Sequence, residues 1–303
     1  MKINPTEIKK ILLIKPRGIG DIVLSTIVLE NLHNYFSGVK IDYLTEHFAK
    51  YSVLYNALVH KVLVMHKTEF VLKTALKIRK EKYDMVIDLW SNPRSAQVTF
   101  LSQVKHRVGF AYRGRKYAYN ILGTSEKGEH HSAEHNLELL KAISVPIISK
   151  NIHYTVRDSD RSFADNFFNE NIKENKLIFG IIPSGSWDSK RCTKSKWLEI
   201  CNAAIKSFKC KVLVLWGPGD ESDAEFIKNN LSVIIAMCTF RLLLPIFVNK
   251  INKKKKKLFE MNPKKFNLSV QCTIPSNVIE KETKCMHVMV LNFFLIEFFF
   301  YFS

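Results

Sequence analysis

The sequence predicts an α/β protein built from two Rossmann-like units, and three observations support this class. Strand-length apolar runs alternate with helical patterns from residue 10 to about residue 110, which is typical of a parallel sheet with right-handed crossovers. The same alternation restarts after about residue 160 and continues to residue 230. A chain of 303 residues is also long enough for two domains that each bury a core.

The elements of the first unit follow from hydrophobic periodicity. A short apolar run predicts a buried strand, and apolar residues at helical spacing predict a helix. In chain order, the sequence predicts strand Lys10–Ile14, helix Asp21–Tyr35, strands Lys40–Leu44 and Leu63–Met65, the basic helix Phe70–Glu81, strand Met85–Leu89, and a fifth strand that begins at Val108 and Gly109.

The second unit repeats this pattern and then stops. It is predicted as strand Leu177–Ile182, helix Lys194–Phe208, strand Lys211–Trp216 and helix Glu221–Asn230. We therefore expect an N-terminal domain over residues 1–165, a partial second domain over residues 175–231, and an atypical tail over residues 232–303.

The tail differs in composition from the rest of the chain. Residues 232–303 contain no glycine and no aspartate, although the chain has 11 glycines, and a parallel sheet needs both residue types in its turns and caps. The segment contains a five-lysine run, Lys253–Lys257, and a phenylalanine-rich end. A basic helical or disordered appendage is one hypothesis, and a shifted reading frame over A/T-rich DNA is the other. The Lys, Asn, Ile and Phe bias favours the shifted frame.

Charge and cysteine usage limit the class of partner and the compartment. The net charge of +18 indicates anionic partners, such as nucleic acid, a phosphorylated small molecule or an acidic membrane surface. The six cysteines form no CxxC pair and no signal peptide opens the chain, so we expect a cytoplasmic protein with reduced thiols. The cluster of His130, His131 and His135 lacks acids at zinc spacing, so we predict no metal site.

The loop KPRGIGDIVL follows the first strand and contains an unusual acid. It looks like the glycine-rich turn of a dinucleotide-binding fold, but Val23 stands where the third glycine should be, and Asp21 directly follows Gly20. An acid there either caps the helix or is placed for proton transfer at the carboxyl edge of the sheet, where such folds bind ligands. The loop alone leaves both readings open.

Four stretches in register carry a resemblance to a known family. They are ILLIKPRGIGDIVLSTIVLENL (residues 11–32), YDMVIDLWSNPRSAQVTFLSQVKHRVGF (83–110), GSWDSKRCTKSKWLEI (185–200) and VLVLWGPGDESDAEFI (212–227). In order and spacing they resemble glycosyltransferase family 9, the ADP-heptose:lipopolysaccharide heptosyltransferases. The resemblance implies a GT-B fold: two Rossmann-like domains facing a cleft, the first for the acceptor and the second for the nucleotide sugar.

The resemblance also implies a reaction. A heptose would move from ADP-heptose to the lipopolysaccharide inner core by inverting displacement, without a metal or another cofactor. Asp21 matches the family's base position, so it would take the proton of the acceptor hydroxyl. Lys190 matches the lysine that neutralises the diphosphate, Ser186 the hydroxyl donor to that phosphate, and Glu221 an acid near the nucleoside.

The basic residues of the N-terminal domain fit an acidic acceptor. Lipid A and its inner-core acids carry phosphates and carboxylates at the inner leaflet, so we expect several Lys/Arg contacts and a peripheral contact with the inner membrane. For any single residue, a solvated basic face is the alternative. The predicted acceptor-binding residues are Gly18, Gly20, Lys77, Arg79, Lys80, Arg94 and Arg113.

Two departures from the family pattern concern the second domain. Cys192 stands where the family usually has an aromatic residue. The family's later Asp-Ser-Gly-Pro-x-His-type loop has no counterpart in a tail without Asp or Gly. We therefore expect the second domain to be incomplete, and whether this chain is active stays open at this point.

Two other functions compete with glycosyl transfer. The chain could be a non-enzymatic protein that binds a membrane or nucleic acid through Lys253–Lys257, but its basic residues are not interleaved with aromatics and no helix-turn-helix or RNP-type signal is present. An NAD-dependent enzyme is disfavoured by Val23 and by Asp42, which lies inside the second strand instead of at its end.

Overall fold

The computed structural model describes residues 3–126, 131–171, 178–183, 192–216 and 220–231, together with the backbone of residues 234–239 and 288–291. It divides into two compact units, Met1–Thr155 and Val156–Ser303. Both units contain parallel strands joined by helices, which confirms the predicted α/β class.

The first unit is organised around a six-stranded parallel sheet. Its strands are β1 (Lys10–Ile14), β2 (Lys40–Glu46), β3 (Lys61–Met65), β4 (Met85–Asp88), β5 (His106–Phe110) and β6 (Ile121–Gly123). They lie in the order β3-β2-β1-β4-β5-β6, which is the order of a dinucleotide-binding Rossmann sheet.

Helices cover both faces of this sheet. They are α1 (Ile19–Ser25), α2 (Ile27–Tyr35), α3 (Val71–Lys80), α4 (Pro93–Ser102), α5 (Ser132–His135) and α6 (Leu137–Ala142). In β1, Ile11 and Leu13 join the core under α1, α2, α5 and α6, whereas Leu12 and Ile14 join the core under α3 and α4. A strand that is buried on both faces appears in the sequence as a continuous apolar run, and this run is what predicted β1.

The predicted helix Asp21–Tyr35 is observed as two helices that meet at Thr26. The hydroxyl of Ser25 donates to the carbonyl of Ile22 at 2.7 Å, and that of Thr26 donates to the carbonyl of Val23 at 2.6 Å. Such back-bonds compete with the regular helical ladder, which accounts for the break.

The second unit contains a smaller sheet. Its helices are α7 (Asp158–Asn171), α8 (Lys194–Phe208) and α9 (Glu221–Asn230), and its strands are β7 (Ile178–Ile181), β8 (Lys211–Trp216), β9 (Ile234–Thr239) and β10 (Val288–Leu291). The order is β10-β7-β8-β9, with β10 antiparallel to β7 and the other pairs parallel. Phe179, Trp197 and Val214 belong to its core. The sequence analysis predicted neither β9 nor β10.

Candidate functional site

The strand order of the first sheet reverses between β1 and β4. Strand β2 follows β1 in the chain and pairs with one side of it. After β3 the chain crosses over, and β4 pairs with the other side of β1. Open α/β sheets bind their ligands at the carboxyl ends of the strands, at the point where the strand order reverses in this way. Two loops border the point: residues 15–18, which follow β1, and residues 89–92, which follow β4.

Gly18 and Asp21 determine the geometry of the first loop. Gly18 precedes α1 with φ +78° and ψ 101°, a conformation that L-residues rarely adopt. A Cβ on Gly18 would overlap the Asp21 carboxylate and would lie 3.0 Å from its Cγ. The absence of a side chain at residue 18 therefore lets the Asp21 carboxylate fold back over the loop. Gly20 has no comparable constraint, because a Cβ there meets no atom within 4 Å.

The Asp21 carboxylate is half-buried and stands near a buried hydroxyl pair. The hydroxyls of Ser25 and Tyr43 are hydrogen-bonded to each other. Burial raises the pKa of Tyr43, and the charge of Asp21 raises this pKa further. Within the described residues, no hydrogen bond or ion pair engages the Asp21 carboxylate itself. Its oxygens are therefore available to accept a proton from a ligand.

The second loop is held by Asp88, a residue that the sequence analysis did not single out. The Asp88 carboxylate is fully buried and accepts hydrogen bonds from the amides of Trp90 (3.1 Å) and Ser91 (2.8 Å) and from the Tyr119 hydroxyl (2.7 Å). Burial raises the pKa of Asp88, although these hydrogen bonds act in the opposite direction. The ring of Tyr119 occupies the space beside Gly109 that a Cβ would need. An aspartate that ends an apolar strand before LWSNP was the signal available in the sequence.

Lys15 connects the two loops. Its ammonium donates to the carbonyl of Leu89 at 2.9 Å and lies 5.0 Å from the centroid of the Trp90 ring. These contacts fix the loop after β1 against the loop after β4. The two loops at the strand-order reversal are therefore held in a fixed relation to each other.

A cavity of about 500 Å³ adjoins the first loop at the carboxyl ends of β2 and β3. Arg17 in its wall donates to Glu46 at 2.7 Å. Arg94 donates to the carbonyls of residues 66, 67 and 69, and so fixes the segment that carries two further lining residues. The guanidinium of Arg94, predicted as an acceptor contact, thus holds in place a segment that lines the cavity. The lining residues are Arg17, Glu46, His47, Phe48, Met65, His66 and Lys67.

A second cavity, of about 580 Å³, lies at the carboxyl ends of β5 and β6. Its lining includes the exposed Arg113, another predicted acceptor contact, together with Lys116 and Tyr117. Arg115 nearby donates to the carbonyl of Ser91 at 3.3 Å and so joins this region to the loop after β4. Arg113 therefore lies on the same edge of the sheet as Asp21.

The three basic residues predicted on α3 divide between the two edges of the sheet. Lys77 reaches back to Glu69, with Nζ 2.6 Å from Oε1, near the start of the helix. Arg79 donates to the carbonyl of Leu101 at the end of α4. Lys80 precedes Glu81, whose carboxylate binds Lys10 at the first position of β1. Arg79 and Lys80 thus lie at the amino edge, and the structure does not bring them together with Asp21.

Two of the predicted donor-site residues, Ser186 and Lys190, lie outside the described residues. Glu221 is exposed and begins α9, which follows the carboxyl end of β8. Cys192 packs partly buried against the core of the second unit. Of the predicted histidine cluster, His131 caps α5, His135 stacks on Phe110 with ring centroids 4.3 Å apart, and His130 lies outside the described residues.

Fold and site together define a Rossmann-like α/β protein with a carboxylate at the ligand-binding edge of its first sheet. The family model of glycosyltransferase family 9 (heptosyltransferase) matches residues 71–245, more than half of the chain. The chain belongs to this family and is a glycosyltransferase of GT-B type. The match starts after the Asp21 loop, and it ends beyond residue 231, the predicted end of the partial second domain.

Solved structures of the same family share this fold. A family 9 glycosyltransferase from Veillonella parvula aligns with a TM-score of 0.68 at 17% identity, over 80% of this chain and 72% of that one. E. coli ADP-heptose lipopolysaccharide heptosyltransferase II aligns with a TM-score of 0.59 at 19% identity, over 74% of this chain and 69% of that one. E. coli heptosyltransferase WaaC with ADP-2-deoxy-2-fluoro heptose aligns with a TM-score of 0.55 at 16% identity, over 78% of this chain and 79% of that one. No curated protein sequence matches the chain.

Proposed function

We propose that this glycosyltransferase moves a heptose from ADP-heptose, or a similar nucleotide sugar, to the anionic inner core of lipopolysaccharide. The observation that carries the proposal is the Asp21 carboxylate, which lies at the strand-order reversal of the first sheet and has no hydrogen-bond or ion-pair partner among the described residues. The bound donor analogue of the similar E. coli enzyme supports a nucleotide-sugar donor of this type.

The proposed reaction is a single displacement. Asp21 takes the proton of the acceptor hydroxyl as its oxygen attacks the anomeric carbon from the face opposite the diphosphate. The bond between that carbon and the diphosphate oxygen breaks, and its electron pair leaves with the nucleoside diphosphate. Lys190, with Ser186, neutralises the charge that develops on the diphosphate, and Glu221 contacts the nucleoside. Each of these roles belongs to the proposal.

The acceptor would lie along the carboxyl edge of the first sheet. Arg17, Lys67 and Arg113 line the two cavities at this edge, and their charges favour phosphates and carboxylates. An acceptor of this kind carries a lipid anchor, so the proposal places the protein at the inner face of the inner membrane. The edge on which these residues lie supports them over Arg79 and Lys80 as acceptor contacts.

Asp21→Asn tests the proposal. Asp21 lies in the first turn of α1, where Gly18 is the N-cap, so Asn loses only the interaction of the carboxylate charge with the helix N-terminus, about 0.3–1 kcal/mol. Loss of the base lowers turnover by roughly 10² to 10⁴ if Asp21 is the general base. The assay is release of ADP from ADP-heptose with a truncated lipopolysaccharide acceptor. The exposed Asp165 on α7 offers a matched control, since Asp165→Asn removes the same charge from a residue outside the first unit. Near-normal turnover of Asp21→Asn would show that Asp21 is not the base and only places a negative charge in the first turn of α1.

A further inference from the structure

Helix α3 carries an exposed surface on which apolar and cationic side chains stand together. Phe70, the residue before the helix, is 84% exposed, and Leu72 and Leu76 are 52% and 44% exposed. The side chains of Lys73 and Lys77 are 70% and 45% exposed. We call this set the α3 surface, and it comprises Phe70, Leu72, Lys73, Leu76, Lys77 and Lys80.

The helix geometry brings these residues to one side. Successive residues of a helix turn by about 100°, so positions 72, 73, 76, 77 and 80 fall within an arc of about 140°. Thr74, Ala75 and Ile78 are buried and occupy the opposite arc, towards the sheet. Single exposed apolar residues are ordinary, but large apolar groups beside lysines on one arc are typical of helices that lie at a membrane interface.

The acidic residues near the α3 surface are withdrawn from solvent or paired. The Glu69 side chain is 6% exposed and accepts a hydrogen bond from Lys77. Glu81 binds Lys10 and Lys61 at the amino edge of the sheet. The charge that the α3 surface presents outward is therefore positive and complementary to an anionic partner.

We propose that the α3 surface docks the protein on an anionic lipid bilayer. Phe70, Leu72 and Leu76 enter the boundary between headgroups and acyl chains, and the lysines contact lipid phosphates. The inference deepens the proposed function and rests on it, because a lipid-anchored acceptor lies at such a surface. Since α3 begins shortly after Lys67, which lines the first cavity, docking along α3 places that cavity beside the lipid.

Vesicle binding of the full chain tests the docking surface. Phosphatidylcholine vesicles with and without phosphatidylglycerol are sedimented with the protein, and the partition coefficient is measured. We expect Lys73→Gln/Lys80→Gln to lower binding to the anionic vesicles by about 10- to 30-fold. Leu72→Gln/Leu76→Gln is expected to lower it by at least about 10-fold, because both leucines lose their apolar contact with lipid. Thermal melts confirm that each variant is folded.

Exposed residues on the other face of the unit provide matched controls. Lys141 and Lys150 are 58% and 62% exposed, so Lys141→Gln/Lys150→Gln removes the same charge. Ile148, 61% exposed, is the apolar counterpart. Equal losses in these controls, or no loss in the α3 variants, would overturn the proposal. Loss in the lysine variant alone would also overturn it, and tighter binding to duplex DNA than to vesicles would identify a nucleic-acid surface instead.

A turnover assay separates this inference from the proposed function. With a soluble, delipidated acceptor fragment, Leu72→Gln/Leu76→Gln is expected to keep wild-type turnover, while turnover with vesicle-borne acceptor falls with vesicle binding. If the wild-type chain transfers no heptose but binds vesicles through the α3 surface, the docking stands and the proposed function fails. If the leucine variant kept wild-type turnover with the vesicle-borne acceptor as well as with the soluble fragment, docking through the α3 surface would be contradicted.

Discussion

Gly18→Ala probes the loop after β1, and we expect it to damage turnover more than stability. At φ +78° an alanine is strained by about 1–3 kcal/mol. Its Cβ would stand 3.0 Å from Cγ and 3.1 Å from Cβ of Asp21, inside the roughly 3.5–4.0 Å that carbon atoms prefer. Asp21 can rotate away from this overlap, so the backbone strain sets the stability loss. The displaced carboxylate can no longer reach the acceptor hydroxyl, which would lower turnover by about 10² or more.

Gly20→Ala is the matched control in the same loop. A Cβ at residue 20 meets no atom within 4 Å, and Gly20 lies inside α1, so alanine should stabilise the helix by about 0.5–1 kcal/mol. Thermal melts and ADP-release kinetics of both variants give the comparison. Equal melts and equal turnover for wild type and Gly18→Ala would refute the reasoning. Loss of turnover in a stabilised Gly20→Ala would indicate that the acceptor approaches the backbone at residue 20.

Two further predictions concern the framework of the first unit. Tyr119→Phe leaves a buried oxygen of Asp88 without its donor and should lower the free energy of unfolding by about 1–3 kcal/mol in denaturant titrations. The exposed Tyr117→Phe should change it little, and similar values for both would count against the Asp88 network. Hydrogen bonds from Lys10 and Lys61 lower the pKa of Glu81 from 4.5 to about 2. Because this pKa is depressed, the stability gained from Glu81 is present above about pH 4.5 and is lost as the pH falls through about 2. The melting temperatures of wild type and Glu81→Gln should converge over that window, and a constant difference would contradict the assignment.

Hydrophobic periodicity predicted the elements that carry the core. Helices α8 and α9 and strand β8 have the bounds that the sequence predicted. Shorter elements depend on partners that a sequence does not show. Strand β6 has only three residues and is held by its pairing with β5. Helix α4 was missed although Asn92 and Pro93 mark its start, because the apolar spacing within it is irregular.

The part of the candidate site that lies within one loop could be predicted from the sequence. Gly18 and Asp21 are three positions apart, and the structure shows the steric reason for their combination. Arg94 and Arg79 were predicted as acceptor contacts from charge alone. Those roles stay predictions; in the structure their guanidinium groups donate to backbone carbonyls of residues 66, 67, 69 and 101, and no local pattern reports such partners. Asp88 had a local signal, as the aspartate that ends β4, but its hydroxyl donor, Tyr119, lies on a distant segment that the sequence does not connect with it.

The DNA that encodes the tail gives the last prediction. The family match ends at residue 245, and β9 pairs parallel to β8 within it, so the expected change of reading frame moves from about residue 231 to about residue 245. A Rossmann-like unit needs glycine and aspartate in its later turns, and residues 232–303 contain neither. We therefore expect another frame, read from about codon 245, to encode alternating strands and helices with an Asp-x-Gly-type loop. If neither alternative frame encodes such a loop, the tail is a divergent segment of the protein itself, and the frame hypothesis is wrong.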